Sequence, residues 1–158
     1  MECSDKFSII QDTREQLPLI FPADECYSEI IVAKLDTGDY AINGLQNLIA
    51  IDRKASVSEL ATNVFEKRFK DVIQRMSEAK YKYFIFEFDL NQVMQYPIGS
   101  NIPKRLWDKI RVNNNFLLSF IAQVQVQHGI HVLFCGDATN AAAMTLKIFK
   151  RIWANEKR

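Results

Sequence analysis

The stretch Leu48-Ile49-Ala50-Ile51-Asp52-Arg53-Lys54 limits the possible folds more than any other part of the chain. An apolar run leads without a break into three consecutive charges. A short apolar run bounded this way reads as a buried strand whose end meets a surface or a site. Upstream lies Asp39-Tyr40-Ala41-Ile42, and between the two runs stands Asn43-Gly44, the strongest short-range signal for a hairpin. Antiparallel strands are therefore expected over Asp39–Ile42 and Leu45–Lys54. Side chains alternate along a strand, so Asp52 and Lys54 share one face and Arg53 takes the other. Asp39 lies four residues before Asn43 and Asp52 eight after Gly44. Bringing the two carboxylates together therefore requires a bulge or a bend.

The rest of the chain supplies an α/β frame. Phe7–Ile10, Glu29–Leu35, Tyr83–Phe88 and Ile130–Cys135 read as strands. In the third of these, Phe84, Phe86 and Phe88 fall on one side. Ser56 or Ser58 can cap a helix carrying Leu60, Val64, Phe65, Phe69, Val72, Ile73 and Met76 at helical spacing, with Glu59 in a capping-box position relative to Ser56. A second helix is expected over Phe116–Gln127, stopped by Gly129. A third starts at Asp137 or Thr139 and runs to about Asn155, with an apolar face wide enough for core or for a dimer seam. Segments 17–22 and 97–103 read as loops. Strands that come first and then alternate with helices predict an α/β domain, a mixed central sheet flanked by helices.

Composition sets the outer limits. A chain of 158 residues suits one domain, 1–158, with a proper core. A net charge of +1 excludes a globally basic nucleic-acid coat, so a polyanion would have to meet a local basic face. No apolar run reaches the roughly 18 residues of a membrane span, and the start, MECSDKFSII, has no basic segment ahead of a long apolar one. The expectation is an intracellular protein with no membrane partner. Cys3, Cys26 and Cys135 are odd in number and widely spaced, which predicts a reducing compartment and no disulfide frame. His128 and His131 sit near Cys135, but no second cysteine is close and the spacing is poor for zinc.

If Asp39 and Asp52 converge, two carboxylates and the Lys54 ammonium share a small site. Carboxylates that close repel unless a cation lies between them. Mg²⁺ suits that place, because it prefers carboxylate oxygen, water and substrate phosphate. It would supply a water-derived nucleophile and stabilise an in-line phosphoryl displacement. Lys54 could orient the water or offset phosphate charge. An Asp-x-Lys alone is weak evidence, since solvated strand ends commonly carry such charges.

More than Asp-x-Lys is present. Asp12-Thr13-Arg14-Glu15-Gln16-Leu17-Pro18-Leu19, then Gly38-Asp39-Tyr40-Ala41-Ile42, then Ile51-Asp52-Arg53-Lys54, then a helix with Arg68-Phe69 and Arg75, occur in that order. This set resembles the XPF-type nuclease domain, a branch of the PD-(D/E)XK, restriction-endonuclease-like superfamily, and the resemblance covers nearly the whole chain. It implies a restriction-endonuclease-like core and a Mg²⁺- or Mn²⁺-dependent DNA endonuclease, structure-selective among branched, flap or junction DNA. It implies Asp39, Asp52, Glu15 and Asp12 as metal residues and Lys54 as the catalytic lysine. Arg53 would be the motif arginine, supporting the site or contacting phosphate, and Arg14 would fix the geometry of Glu15. Arg68 and Arg75 would contact DNA, and a homodimer through the nuclease domain is implied as well. The chain departs from the family pattern at Asp52, where Glu is usual, and at Ser58, where Asp is usual and Glu59 stands next door. The 158 residues are expected to hold no helix-hairpin-helix module of the kind that cellular relatives carry. These departures leave a second reading open, a catalytically weakened DNA-binding or partner-binding subunit.

Two further features invite a role. Lys104 and Arg105 open a basic stretch around Trp107 that could grip a phosphate backbone, although tryptophan's usual burial favours a solvated face with the ring in the core. Glu87 lies between Phe86 and Phe88 and needs a partner if it is buried, with a motif arginine the candidate.

Overall fold

The computed structural model describes residue 3 and residues 5–158. Six strands form one sheet in the order β2-β1-β3-β4-β5-β6. They are β1 (Phe7–Gln11), β2 (Tyr27–Val32), β3 (Tyr40–Ile42), β4 (Ile49–Lys54), β5 (Tyr81–Phe86) and β6 (His131–Phe134). β3 pairs antiparallel with both β1 and β4, while β1–β2, β4–β5 and β5–β6 pair in parallel. The sheet is mixed, as the element pattern predicts.

Alternation along β4 divides two cores. Ile49 and Ile51 join Ile9, Ile42 and Ile85 beneath helix α5 (Ala138–Glu156), which inserts Ala141, Leu146, Phe149 and Ile152. Ala50 faces the other way with Phe84 and Phe86, under α1 (Val57–Asn63), α2 (Lys67–Ser77) and α4 (Asn114–His128). A sheet with both faces covered buries its central strands completely, which is why LIAI is apolar at every position.

Several local expectations need correction. The segment read as one helix is two, because the chain breaks at Val64–Glu66 and leaves Phe65 51% exposed. Ser56 caps α1 as expected, accepting from the Glu59 amide at 3.1 Å, and Glu59 in turn accepts from the Ala55 amide at 2.8 Å. A short helix, α3 (Leu90–Gln95), stands where none was read. Lys104–Lys109 form a 3-10 turn. Trp107 is half-buried there, and its indole donates to the Ile102 carbonyl at 2.9 Å.

The hairpin is not a two-residue loop. The Leu45 amide closes a turn on Ile42, and Leu48 then closes another on Leu45. Only Gly44 takes positive φ (90°), so a type I′ turn, which needs two such residues, does not form. The surplus residues that made the register asymmetric are absorbed in these turns rather than in a strand bulge.

Cys3 and Cys26 are bonded to each other, with Cα atoms 5.2 Å apart, leaving Cys135 as the free cysteine among the described residues. The expectation of no disulfide frame is overturned. Parallel pairing of Phe7 with Tyr27 carries the segments ahead of β1 and β2 side by side, a closeness that a separation of 23 residues conceals. Among the described residues no helix is long and apolar enough to cross a membrane.

Candidate active site

Gly38 and Asp39 lead into β3 where it runs closest to β4. Gly38 has φ +83°, and a Cβ built on it would lie 2.7 Å from the Ile51 carbonyl oxygen. Only glycine lets the backbone approach this closely. The approach is used at once, for the Asp39 amide donates to that carbonyl at 2.6 Å. The Tyr40–Ile51 pairing then sets Asp39 opposite Asp52. The Asp39 carboxylate accepts from the Arg53 amide at 2.7 Å.

Asp52 and Lys54, both buried, lie on the α1–α2 side of β4. The Lys54 ammonium lies 2.8 Å from Asp52 Oδ1, a close ion pair between two buried groups. Phe69 of α2 packs under the same ammonium, 4.8 Å from ring centre to Nζ.

The electrostatics follow from this crowding. Burial, then the charges of Asp52 and Glu15, push the Asp39 carboxyl well above the ordinary carboxylate range. Burial also raises Asp52, against the pull of Lys54. Burial works against the Lys54 charge, but Asp52, Asp39 and Glu59 outweigh it and hold the lysine above its usual value. Lys54 therefore stays a cation, suited to stabilising negative charge rather than to accepting a proton.

A cleft of about 520 Å³ gathers Asp39, Asp52 and Lys54 with Asp12, Arg14, Glu15, Arg68 and Arg75, so most of the residues singled out from sequence meet in one place. Within it their situations differ. Asp12 is buried and faces protein donors on both oxygens: the Leu35 amide at 2.8 Å on one, the Arg14 Nε at 2.7 Å on the other. Burial tends to raise its carboxyl, but those bonds prevail and hold it below the ordinary value. Such an oxygen set ties the 12–15 turn to the sheet and is poorly placed to serve as a metal ligand. Glu15 is held by two groups on one oxygen, the Tyr40 hydroxyl at 3.0 Å and Arg53 at 2.7 Å.

Arg53 points away from the cleft, as strand alternation predicts. Its Nε and one terminal nitrogen reach both oxygens of Glu87, at 3.0 and 3.4 Å, and its other terminal nitrogen reaches Glu15 and the Leu17 carbonyl, the latter at 2.6 Å. The guanidinium is therefore committed to protein acceptors, and phosphate contact gives way to support of the site. Glu87 has the arginine partner its burial demanded. Lys104 and Arg105 are exposed in the 3-10 turn and do not line the cleft. Tyr40 was missed as a site residue. Its hydroxyl accepts from the Leu19 amide at 2.7 Å as well as donating to Glu15, and the one signal for it was a polar tip in a fully buried strand.

Among the described residues no group of three or more His, Cys, Asp or Glu side chains is arranged as a metal cage. The donor set still fits Mg²⁺, which commonly takes one or two carboxylates and completes its shell with water and substrate phosphate. Asp39 and Asp52, on facing strands of the same cleft, are the carboxylates that would serve, with the Lys54 ammonium now beside Asp52 Oδ1.

The structure thus brings Gly-Asp and Asp-x-Lys together on facing strands of a mixed α/β sheet, beside two helix arginines. The ERCC4 domain model matches residues 11–148, and the chain belongs to that family. The 3′-flap repair endonuclease Xpf of Saccharolobus solfataricus is 28% identical over 130 residues, which are 82% of this chain and 48% of that protein. The chain thus spans about half the length of that relative. XPF from Aeropyrum pernix matches in fold with a TM-score of 0.62 at 19% identity, over 93% of this chain and 65% of that one. The same protein in complex with DNA matches with a TM-score of 0.64 at 21% identity, over 96% and 66%.

Proposed function

We propose that this chain is a Mg²⁺- or Mn²⁺-dependent DNA endonuclease that hydrolyses phosphodiester bonds, with selectivity for branched, flap or junction DNA. The observation that carries the proposal is the Asp39–Asp52 pair: two carboxylates set opposite each other on facing strands in one cleft, beside a buried lysine held protonated 2.8 Å from one of them. Kinship with an archaeal 3′-flap repair endonuclease, and the fold shared with an XPF that binds DNA, support the same substrate.

In this reading Asp39 and Asp52 would hold the metal, with Glu15 behind them. A bound Mg²⁺ supplies a polarised water and neutralises phosphate charge. Lys54 lies over the same cleft and offsets charge that builds on the phosphate oxygens. Arg68 and Arg75 line the cleft from α2 and would meet the flanking phosphates. Arg53 acts through other residues, joining β4 to Glu15 and to the end of β5. Asp12 and Arg14 fix the loop that carries Glu15.

The test is cleavage of labelled duplex, flap, fork and single-stranded DNA with Mg²⁺, Mn²⁺ or EDTA. Metal-dependent cutting that favours branched forms supports the proposal. Binding without cutting in either metal would mean that the family's site has been kept here as a DNA-binding or partner-binding surface. Light scattering on the same preparation checks the homodimer that the resemblance implies.

A further inference from the structure

The break between α1 and α2 opens a second concavity. Helical spacing would bury Phe65, yet it stands 51% exposed and packs its ring against the partly exposed Phe116 at 5.3 Å between centroids. The Arg111 guanidinium lies over the Phe65 ring at 5.4 Å. These rings form one end of a groove of about 590 Å³ between α2 and α4. Its lining holds Lys70 and His128 with the neutral Gln74, Ser119 and Gln123, and no carboxylate. The catalytic cleft, by contrast, is crowded with acids. The two concavities lie on either side of α2, and Phe69 lines both.

We propose that this groove binds unpaired nucleotides of a DNA strand, with bases stacked on Phe65 and Phe116 and phosphates met by Lys70 and Arg111. Each part has a physical reason. Exposed aromatic rings are sequence-tolerant platforms for bases, and a guanidinium over a ring adds a cationic partner for the backbone. A lining without carboxylates can accept a polyanion with no metal to offset acidic charge. Val64, Ile73 and Phe120 give the groove an apolar floor, and the polar groups around it are cationic or neutral. The position beside the cleft lets one strand reach both, passing the end of α2. The inference rests on the DNA-nuclease reading and adds to it a place for the single-stranded arm of a junction.

The experiment is fluorescence anisotropy of the full chain with a labelled oligothymidine and with a labelled duplex, both in EDTA so that nothing is cut. Phe65→Ala and Phe116→Ala are each expected to weaken oligothymidine binding about fivefold or more while duplex binding changes less than about twofold, and Phe65→Trp is expected to restore it. Circular dichroism confirms that each variant is folded. Wild-type-like oligothymidine binding by both alanine variants would overturn the proposal, as would equal loss for both DNA forms. A wild-type dimer that these variants dissociate, with DNA binding unchanged, would overturn it in favour of a second copy of the chain in the groove. Because binding is read without metal, failure here leaves the catalytic proposal standing. A wild type that binds through Phe65 but never cuts would refute only the catalytic proposal.

Discussion

Replacing Gly38 with alanine is expected to destabilise the domain by about 3 kcal/mol and to abolish any metal-dependent activity. Two costs combine. Holding an L-residue at φ +83° costs about 1–2 kcal/mol. The new Cβ would also lie 2.7 Å from the Ile51 oxygen and 2.9 Å from the Ile51 nitrogen, so β3 and β4 must separate. Forcing atoms into a packed interior costs roughly another 1–3 kcal/mol. For a domain of this size the sum lowers Tm by roughly 6–12 °C. Gly44→Ala is the control: φ there is +90°, but nothing lies within 4 Å, so only the conformational cost applies. Urea denaturation gives the two stabilities, and a Mg²⁺ titration of each folded variant reports on the site. If Gly38→Ala loses no more stability than Gly44→Ala, close approach of the strands is not what seats Asp39 against Asp52.

Other outcomes follow from the same geometry. Arg53→Met leaves the partly buried carboxylates of Glu15 and Glu87 without their cation and should cost about 3 kcal/mol by denaturant titration; a loss under about 1 kcal/mol would show the network to be incidental. Asp12 is held below the ordinary carboxylate value of 3.8, so its stabilisation is complete above that value and is lost as pH falls through the depressed one. Asp12→Asn should therefore make acid unfolding less steep, as followed by circular dichroism. Asp39 and Asp52 are raised, which reverses the sign: metal-free protein loses stability as pH rises from 3.8 through the folded values. Mg²⁺ bound to the ionised pair offsets that loss, so the Tm gain on adding Mg²⁺ over EDTA should grow as pH rises above the ordinary carboxylate range, and a gain that does not change with pH would count against the pair as ligands.

How much of this could be read in the sequence depended on whether a feature was local. The LIAI run and the alternation after it gave the two faces of β4 and hence the opposed directions of Lys54 and Arg53. The ordered motifs gave the cleft. Continuous apolar spacing hid the break at Val64–Glu66, because Phe65 and Phe69 keep the helical period across it. Helix α3 carried a readable signal in Asp89 and Gln92, which form a capping box, but its six residues offered too little periodicity to stand out. The Cys3–Cys26 bond depends on pairing between distant strands. The engagement of Asp12 by Leu35 and of Arg53 by Glu87 is likewise tertiary, so a motif match could nominate those residues without separating ligands from supports.

The central claim is that the charges at the end of LIAIDRK form a metal-dependent catalytic site. The most direct test is single-turnover cleavage of a labelled flap substrate by wild type, Asp52→Asn and Lys54→Ala, each in Mg²⁺ and in EDTA. The prediction is cutting by wild type in Mg²⁺ alone, with both variants slowed at least about a hundredfold while still binding the substrate. Equal rates for the three proteins, or cutting that survives EDTA, would contradict it.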